Sequence, residues 1–265
     1  MCNDSDFIYN ELFLHKGIRN NVSVFISGAE RIGTSWCALN MAYGLSQTKH
    51  KILFIDGTGN FSNPKANLVL NNTYFLEDYI SGKKTLNQII TPYRNKYFDI
   101  LTGKAGNNYL SEQPLGRIHI FAEDVTILSE LYNHTIIDLG ATLTEKNLPL
   151  CQIAQNILIM CSDNNSDLIK TFDLIKYFNE LKLHANYYLI LNKVDSFGDG
   201  YKIYEKLSKA AEKYGFNCPT LLGIVRFDTR IRDTIRNKEL LLSRYSASEA
   251  AVDIKNIAKK LLPEF

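Results

Sequence analysis

Gly28 and Gly33 bracket a loop whose residue types and spacing suit phosphate binding. Gly28-Ala29-Glu30-Arg31-Ile32-Gly33-Thr34-Ser35 follows the pattern G-x-x-x-x-G-K-[ST], except that Thr34 stands where the lysine belongs. An apolar strand leads into the loop from Val22, and a helix-forming run leaves it through Ser35-Trp36-Cys37-Ala38. In such a joint the backbone N–H groups of Gly28 and of Ile32, Gly33, Thr34, Ser35 and Trp36 converge on an anion at the positive end of the helix. The ammonium that would hold and polarise the outer phosphates is missing. The residues describe an anion site stripped of its catalytic charge.

Two acidic residues extend the pattern. Asp56 closes Ile52-Leu53-Phe54-Ile55-Asp56, and Asp138 closes Thr135-Ile136-Ile137-Asp138. A carboxylate at the tip of an apolar strand beside a phosphate loop is placed to hold Mg²⁺ or its waters. The bland alternative is that each caps the turn after its strand. Asn192-Lys193-Val194-Asp195 has the N-K-x-D form of guanine-reading segments in GTPases, but Asp138-Leu139-Gly140-Ala141 lacks the D-x-x-G that a GTPase also needs. The other reading of Asn192 and Lys193 is a buried strand that ends in a polar turn.

These residues need a sheet to bring them together. Apolar runs at 22–27, 51–56, 97–101, 134–138, 156–162, 187–192 and 220–225 read as strands. Helical patterns fall at 34–47, 76–80, 86–90, 117–132, 144–154, 167–181, 201–214 and 246–262, the last with Ser246 or Ser248 as N-cap. Strands alternating with crossover helices predict an α/β fold, a doubly wound and mostly parallel sheet with helices on both faces. No repeat or Pro/Gly-rich boundary divides 21–265, which reads as one domain after a leader of unclear role at 1–20.

Bulk properties agree. The 265 residues carry a formal net charge of +2, so the total gives no bias toward nucleic acid. Five scattered cysteines without a C-x-x-C pair argue against zinc and for a reducing cytoplasm. The start of the chain lacks the basic and apolar regions of a signal peptide, and no run reaches the ~18 apolar residues of a spanning helix. Arg226, Arg230, Arg232, Arg236, Lys238 and Arg244 read as a solvated face balanced by Asp228, Asp233 and Glu239, not as a DNA contact. The amphipathic, basic end of the chain reads as a core helix, and a membrane-surface role for it is weak.

The order of motifs resembles the MinD/ParA family of deviant Walker A P-loop ATPases, and among its branches the flagellar-placement FlhG branch (FleN or YlxH). Ile26-Ser27-Gly28 with Gly33-Thr34-Ser35 carries the resemblance at the first loop, and Leu53-Phe54-Ile55-Asp56 with Asn67-Leu68-Val69-Leu70 at the second strand. Leu76–Gly82 and Leu101–Gly106, Thr135–Ala141, Leu189–Lys193 and Leu222–Asp228 continue it across nearly the whole chain. The resemblance implies ATP or ADP with Mg²⁺, nucleotide-gated dimerisation, and a protein partner in a machine that must be placed in the cell. It also implies what has been lost. The family lysine that reaches across a dimer falls on Ala29, the P-loop lysine on Thr34, and two loop glycines on Glu30 and Arg31. The water-positioning Asp falls on Thr58 and the base-packing proline on Arg226. Ser35, Asp56 and Asp138 are kept. The expectation is weakened nucleotide binding, negligible hydrolysis and a scaffold role at a flagellum or similar machine, in the cytoplasm, with recruitment to the pole or inner membrane surface. The alternatives are a pilus-placing or chromosome-partition relative that still uses ATP, with Arg31 or Lys104 supplying the charge, and a GTPase.

Overall fold

The computed structural model describes residues 21–58, 70, 73–104, 109–141 and 143–262, Tyr109 by its backbone alone. The 1–20 leader, Asn67-Leu68-Val69 and Ala105-Gly106 lie outside the described residues.

The chain begins with β1 (Val22–Ser27), α1 (Thr34–Ser46) and β2 (Ile52–Asp56), followed by α2 (Leu76–Ile80), α3 (Leu86–Ile89), β3 (Thr91–Pro92) and β4 (Phe98–Thr102). Next come α4 (Tyr109–Glu112), α5 (Leu115–Ser129), β5 (His134–Ala141), a 3₁₀ turn (Glu145–Asn147), α6 (Leu148–Gln152) and β6 (Asn156–Cys161). The remainder is α7 (Asn165–Leu181), β7 (Asn186–Val194), α8 (Phe197–Lys213), β8 (Thr220–Arg226), α9 (Arg230–Asn237), α10 (Leu241–Arg244) and α11 (Glu249–Lys259). The sheet has eight strands in the order β3-β4-β2-β5-β1-β6-β7-β8, all parallel but for the short antiparallel β3. From β1 the chain winds one way through β2 and β4, then crosses to build β6, β7 and β8 on the other side. The winding reverses beside β1 and β5, the place in such sheets where ligands sit at the carboxyl ends.

Alternation along β1 divides the core. Val22, Val24 and Ile26 pack with Phe121 and Val125 of α5 and Ile175 and Phe178 of α7, while Phe25 faces α1 and α11. Such two-sided burial is why the central strands read as unbroken apolar runs. Helix α1 is buried on nearly every side, because α11 and α10 cover the flank that the sheet leaves open. Asn40 ties that cover down, since its amide donates to Trp36 O at 2.9 Å and its oxygen accepts Leu241 N at 2.9 Å.

Several predicted bounds shift for local reasons. The helix read at 144–154 divides into a 3₁₀ turn and a short α6, with Pro149 in the first turn of α6. Helix α8 starts four residues before the predicted 201, where Ser196 Oγ caps Asp199 N at 3.1 Å. Ser248, not Ser246, caps α11, whose Ile254, Ile257 and Ala258 pack into the core. Among the described residues no helix is long and apolar enough to cross a membrane.

Candidate functional site

The loop from Gly28 to Ser35 connects β1 to α1 at the carboxyl end of the sheet. Gly28 lies against α7 so closely that a Cβ would stand 2.5 Å from Lys170 O. Gly33 caps α1 at φ 97, and a Cβ there would stand 2.6 Å from Asn192 Nδ2. Both glycines are therefore required by space, and Gly33 by its backbone as well. Arg31 keeps a left-handed φ of 63 where the family has glycine. That conformation costs a side chain roughly 1 kcal/mol, so the loop retains its shape against the preference of its residue.

The replaced positions have turned inward. Thr34 is buried, and its Oγ1 donates to Ser27 Oγ at 2.8 Å. Ser27 Oγ in turn lies 3.0 Å from Ala29 O and 3.2 Å from Gly140 O. Ala29 is buried against the apolar layer of α1. Thr58 donates to Asp56 Oδ1 with its N–H at 3.0 Å and its hydroxyl at 2.7 Å, while Thr102 Oγ1 donates to Asp56 Oδ2 at 2.9 Å.

Asp56 and Asp138 pair across β2 and β5, so two carboxylates meet at the tips of adjacent strands. Asp138 Oδ1 accepts from Gly140 N at 3.0 Å, yet its Oδ2 is buried without a partner. Burial, and then the charge on Asp56, push the Asp138 carboxyl up to about 7. Among the described residues no three His, Cys, Asp or Glu side chains gather as a metal cage. Two carboxylates, one with an orphaned oxygen, and the Ser35 hydroxyl are instead the donor set of a Mg²⁺ site that takes its remaining ligands from phosphate and water. The residues present fit that ion.

From the far side, β7 fastens the loop. Asn192 Nδ2 donates to Ile32 O at 2.8 Å, and Lys193 Nζ donates to Arg31 O. The structure thus brings together Gly28, Ile32, Gly33, Thr34, Ser35, Trp36, Asp56, Asp138, Asn192 and Lys193. Lys104 donates its backbone N–H to Glu77 at 2.8 Å. The strap on Arg31 O was not legible in sequence, because it depends on a bulge between Asn192 and Val194, where Lys193 has φ 63. Arg226, at the base-packing position, stacks over Phe197 and is ion-paired with Asp253 and Glu249. Arg230 pairs with Asp228 at 3.6 Å, and Arg244 with Asp233 and Glu239.

No family model matches the chain. Antiactivator FleN of Pseudomonas aeruginosa is 20% identical over 237 residues, spanning 88% of this chain and 83% of FleN. MinD of Pyrococcus horikoshii, solved with Mg-ADP, superposes at a TM-score of 0.74 with 18% identity, over 91% of this chain and 95% of that one. A ParA family ATPase from Chlorobium tepidum gives the same TM-score and identity over 91% and 99%. The fold is that of the MinD/ParA P-loop proteins. Within that MinD/ParA-like frame the resemblance to FleN covers most of both chains. The MinD neighbour carries Mg-ADP.

Proposed function

We propose that this protein is a FlhG-type placement regulator that acts as a partner-binding scaffold around a degenerate nucleotide loop. Its client is a flagellum or a comparable surface machine whose position or number must be controlled. It works in the cytoplasm, with recruitment to the pole or the inner membrane surface. One observation carries the reading: Thr34 and Thr58, where a lysine and a water-positioning carboxylate would stand, are locked inward on Ser27 and Asp56. Phosphoryl transfer depends on charges placed around the transition state, and losing one such group costs roughly 3 kcal/mol of barrier. A nucleotide would be held weakly on the N-terminus of α1, with Ser35, Asp56 and Asp138 on the Mg²⁺ side, and would not be turned over. With Ala29 buried and uncharged, nucleotide-driven dimerisation would be weak as well.

The similarity to an antiactivator supports a role exercised through a protein partner. So does the surface of α5, where Ile120 and Ile127, and Leu131 just past its end, stand exposed on one face. Purified protein should hydrolyse ATP or GTP no faster than a Ser35→Ala, Asp56→Ala control. Turnover clearly above that control, and abolished by Asp56→Ala alone, would sink the scaffold reading.

A further inference from the structure

We propose that the segment before Asn21 runs back along α5 and covers its exposed apolar stripe. The cover is independent of the nucleotide loop. It deepens the partner-surface reading of α5, on which it rests only for what the cover controls.

Helix α5 turns Ile118, Phe121, Ala122, Val125 and Leu128 into the core. Ile120 and Ile127 lie two turns apart on the opposite side, with Leu131 in line just beyond the end of the helix. The three are 58%, 65% and 60% exposed. Glu123 and Glu130 stand exposed among them, and among the described residues neither is in an ion pair. The surface therefore fits apolar side chains accompanied by cations.

The chain's own start is fastened beside this surface. Asn21 is buried, and its amide donates to Ser129 O at 3.0 Å and to Tyr132 O at 2.6 Å, on either side of Leu131 in sequence. Its carbonyl oxygen accepts Thr135 N at 2.9 Å. These bonds set the root of the preceding segment at the end of α5. Asn21 Oδ1 is buried there without a partner, an acceptor that an N–H of the incoming chain would satisfy.

The segment carries what the surface lacks. Phe7, Ile8, Leu12, Phe13, Leu14 and Ile18 make it apolar. Lys16 and Arg19 are its charged residues nearest Asn21, and Glu130 stands at that same end of α5. Reach is sufficient. Ile120 to Leu131 spans about 16 Å at the helical rise, and the stretch from Arg19 back to Phe7 spans about 18 Å as a helix or about 40 Å extended. A partner that docks on α5 has to displace this cover, so the cover sets when the surface is available.

The test is hydrogen–deuterium exchange read by mass spectrometry on the full chain and on Ile127→Asp, with sedimentation at two protein concentrations. Amides of residues 7–14 in the parent should exchange at least about tenfold more slowly than in a free synthetic peptide of the same sequence. Ile127→Asp should return them to the free rate while β1 and β5 stay protected, since Ile127 lies on the surface. Free exchange of 7–14 in the parent overturns the inference, yet leaves α5 open to a partner. Protection that survives Ile127→Asp also overturns it, because the segment then packs elsewhere. Protection that appears only as the chain dimerises overturns it in favour of a second copy. ATP turnover above the control would do the reverse, removing the scaffold reading without touching the cover.

Discussion

Strand β5 begins at His134 and reaches Asp138 four residues later, and a side-chain network crosses the sheet at its first end but not at its second. At the amino end, His134 Nε2 hydrogen-bonds Ser23 Oγ at 2.9 Å, which accepts Asn156 Nδ2 at 3.1 Å. Asn156 Oδ1 then accepts Asn186 Nδ2 at 3.1 Å, so one side-chain chain crosses β5, β1, β6 and β7. At the carboxyl end, Asp138 Oδ2, Asn192 Oδ1 and Trp36 Nε1 are buried without partners, and two carboxylates face each other. The amino end spends His134, Ser23, Asn156 and Asn186 on holding strands together, although Asn21 Oδ1 and Thr135 Oγ1 there also lack partners. The carboxyl end keeps its polar groups in reserve, at a cost that only a ligand would relieve.

Breaking the amino end should destabilise the protein at every pH. His134→Ala deletes a buried ring and takes one partner from Ser23, and should destabilise the protein by about 3 kcal/mol in denaturant melts. A loss under about 1 kcal/mol would mean that the network across the four strands contributes little.

The carboxyl end should respond with the opposite sign. The folded Asp138 carboxyl holds its proton to about pH 7, against an ordinary value of 3.8. Between these values the unfolded chain has released a proton that the folded chain retains, so stability falls as pH rises through the window. The penalty is complete above about pH 7. Asp138→Asn should therefore stabilise the protein at pH 8, by up to about 4 kcal/mol, and do little near pH 4. Mg²⁺ should raise the melting temperature of the parent at pH 8 and not that of the variant. Stability unchanged by Asp138→Asn at pH 8 would show that the carboxylate pair is not strained.

The same contrast explains what could be read in the sequence. β1 was legible to the residue, because a buried parallel strand is an apolar run stopped by a glycine. β7 was not, since its last turns are polar: Asn192-Lys193-Val194 continues the strand through a bulge that no apolar pattern announces. β3 was missed because two residues, one of them Pro92, make no pattern at all. At the site, the loop, Ser35, Asp56 and Asp138 followed from spacing alone. The inward turns of Thr34 and Thr58, and the straps from Asn192 and Lys193, are long-range contacts, and only the folded sheet sets them.

The central claim is that an intact anion scaffold has lost only its charges, and repairing the loop tests it most directly. Ala29→Lys, Glu30→Gly, Arg31→Gly and Thr34→Lys together restore two ammonium groups and relax the left-handed Arg31 on a helix N-terminus already in place. Calorimetry should show that this variant gains Mg²⁺-dependent affinity for nucleoside triphosphate over the parent, with hydrolysis staying slow until Thr58→Asp is added. A repaired protein that folds normally by circular dichroism yet binds no nucleotide would contradict the account and leave a resemblance of fold alone.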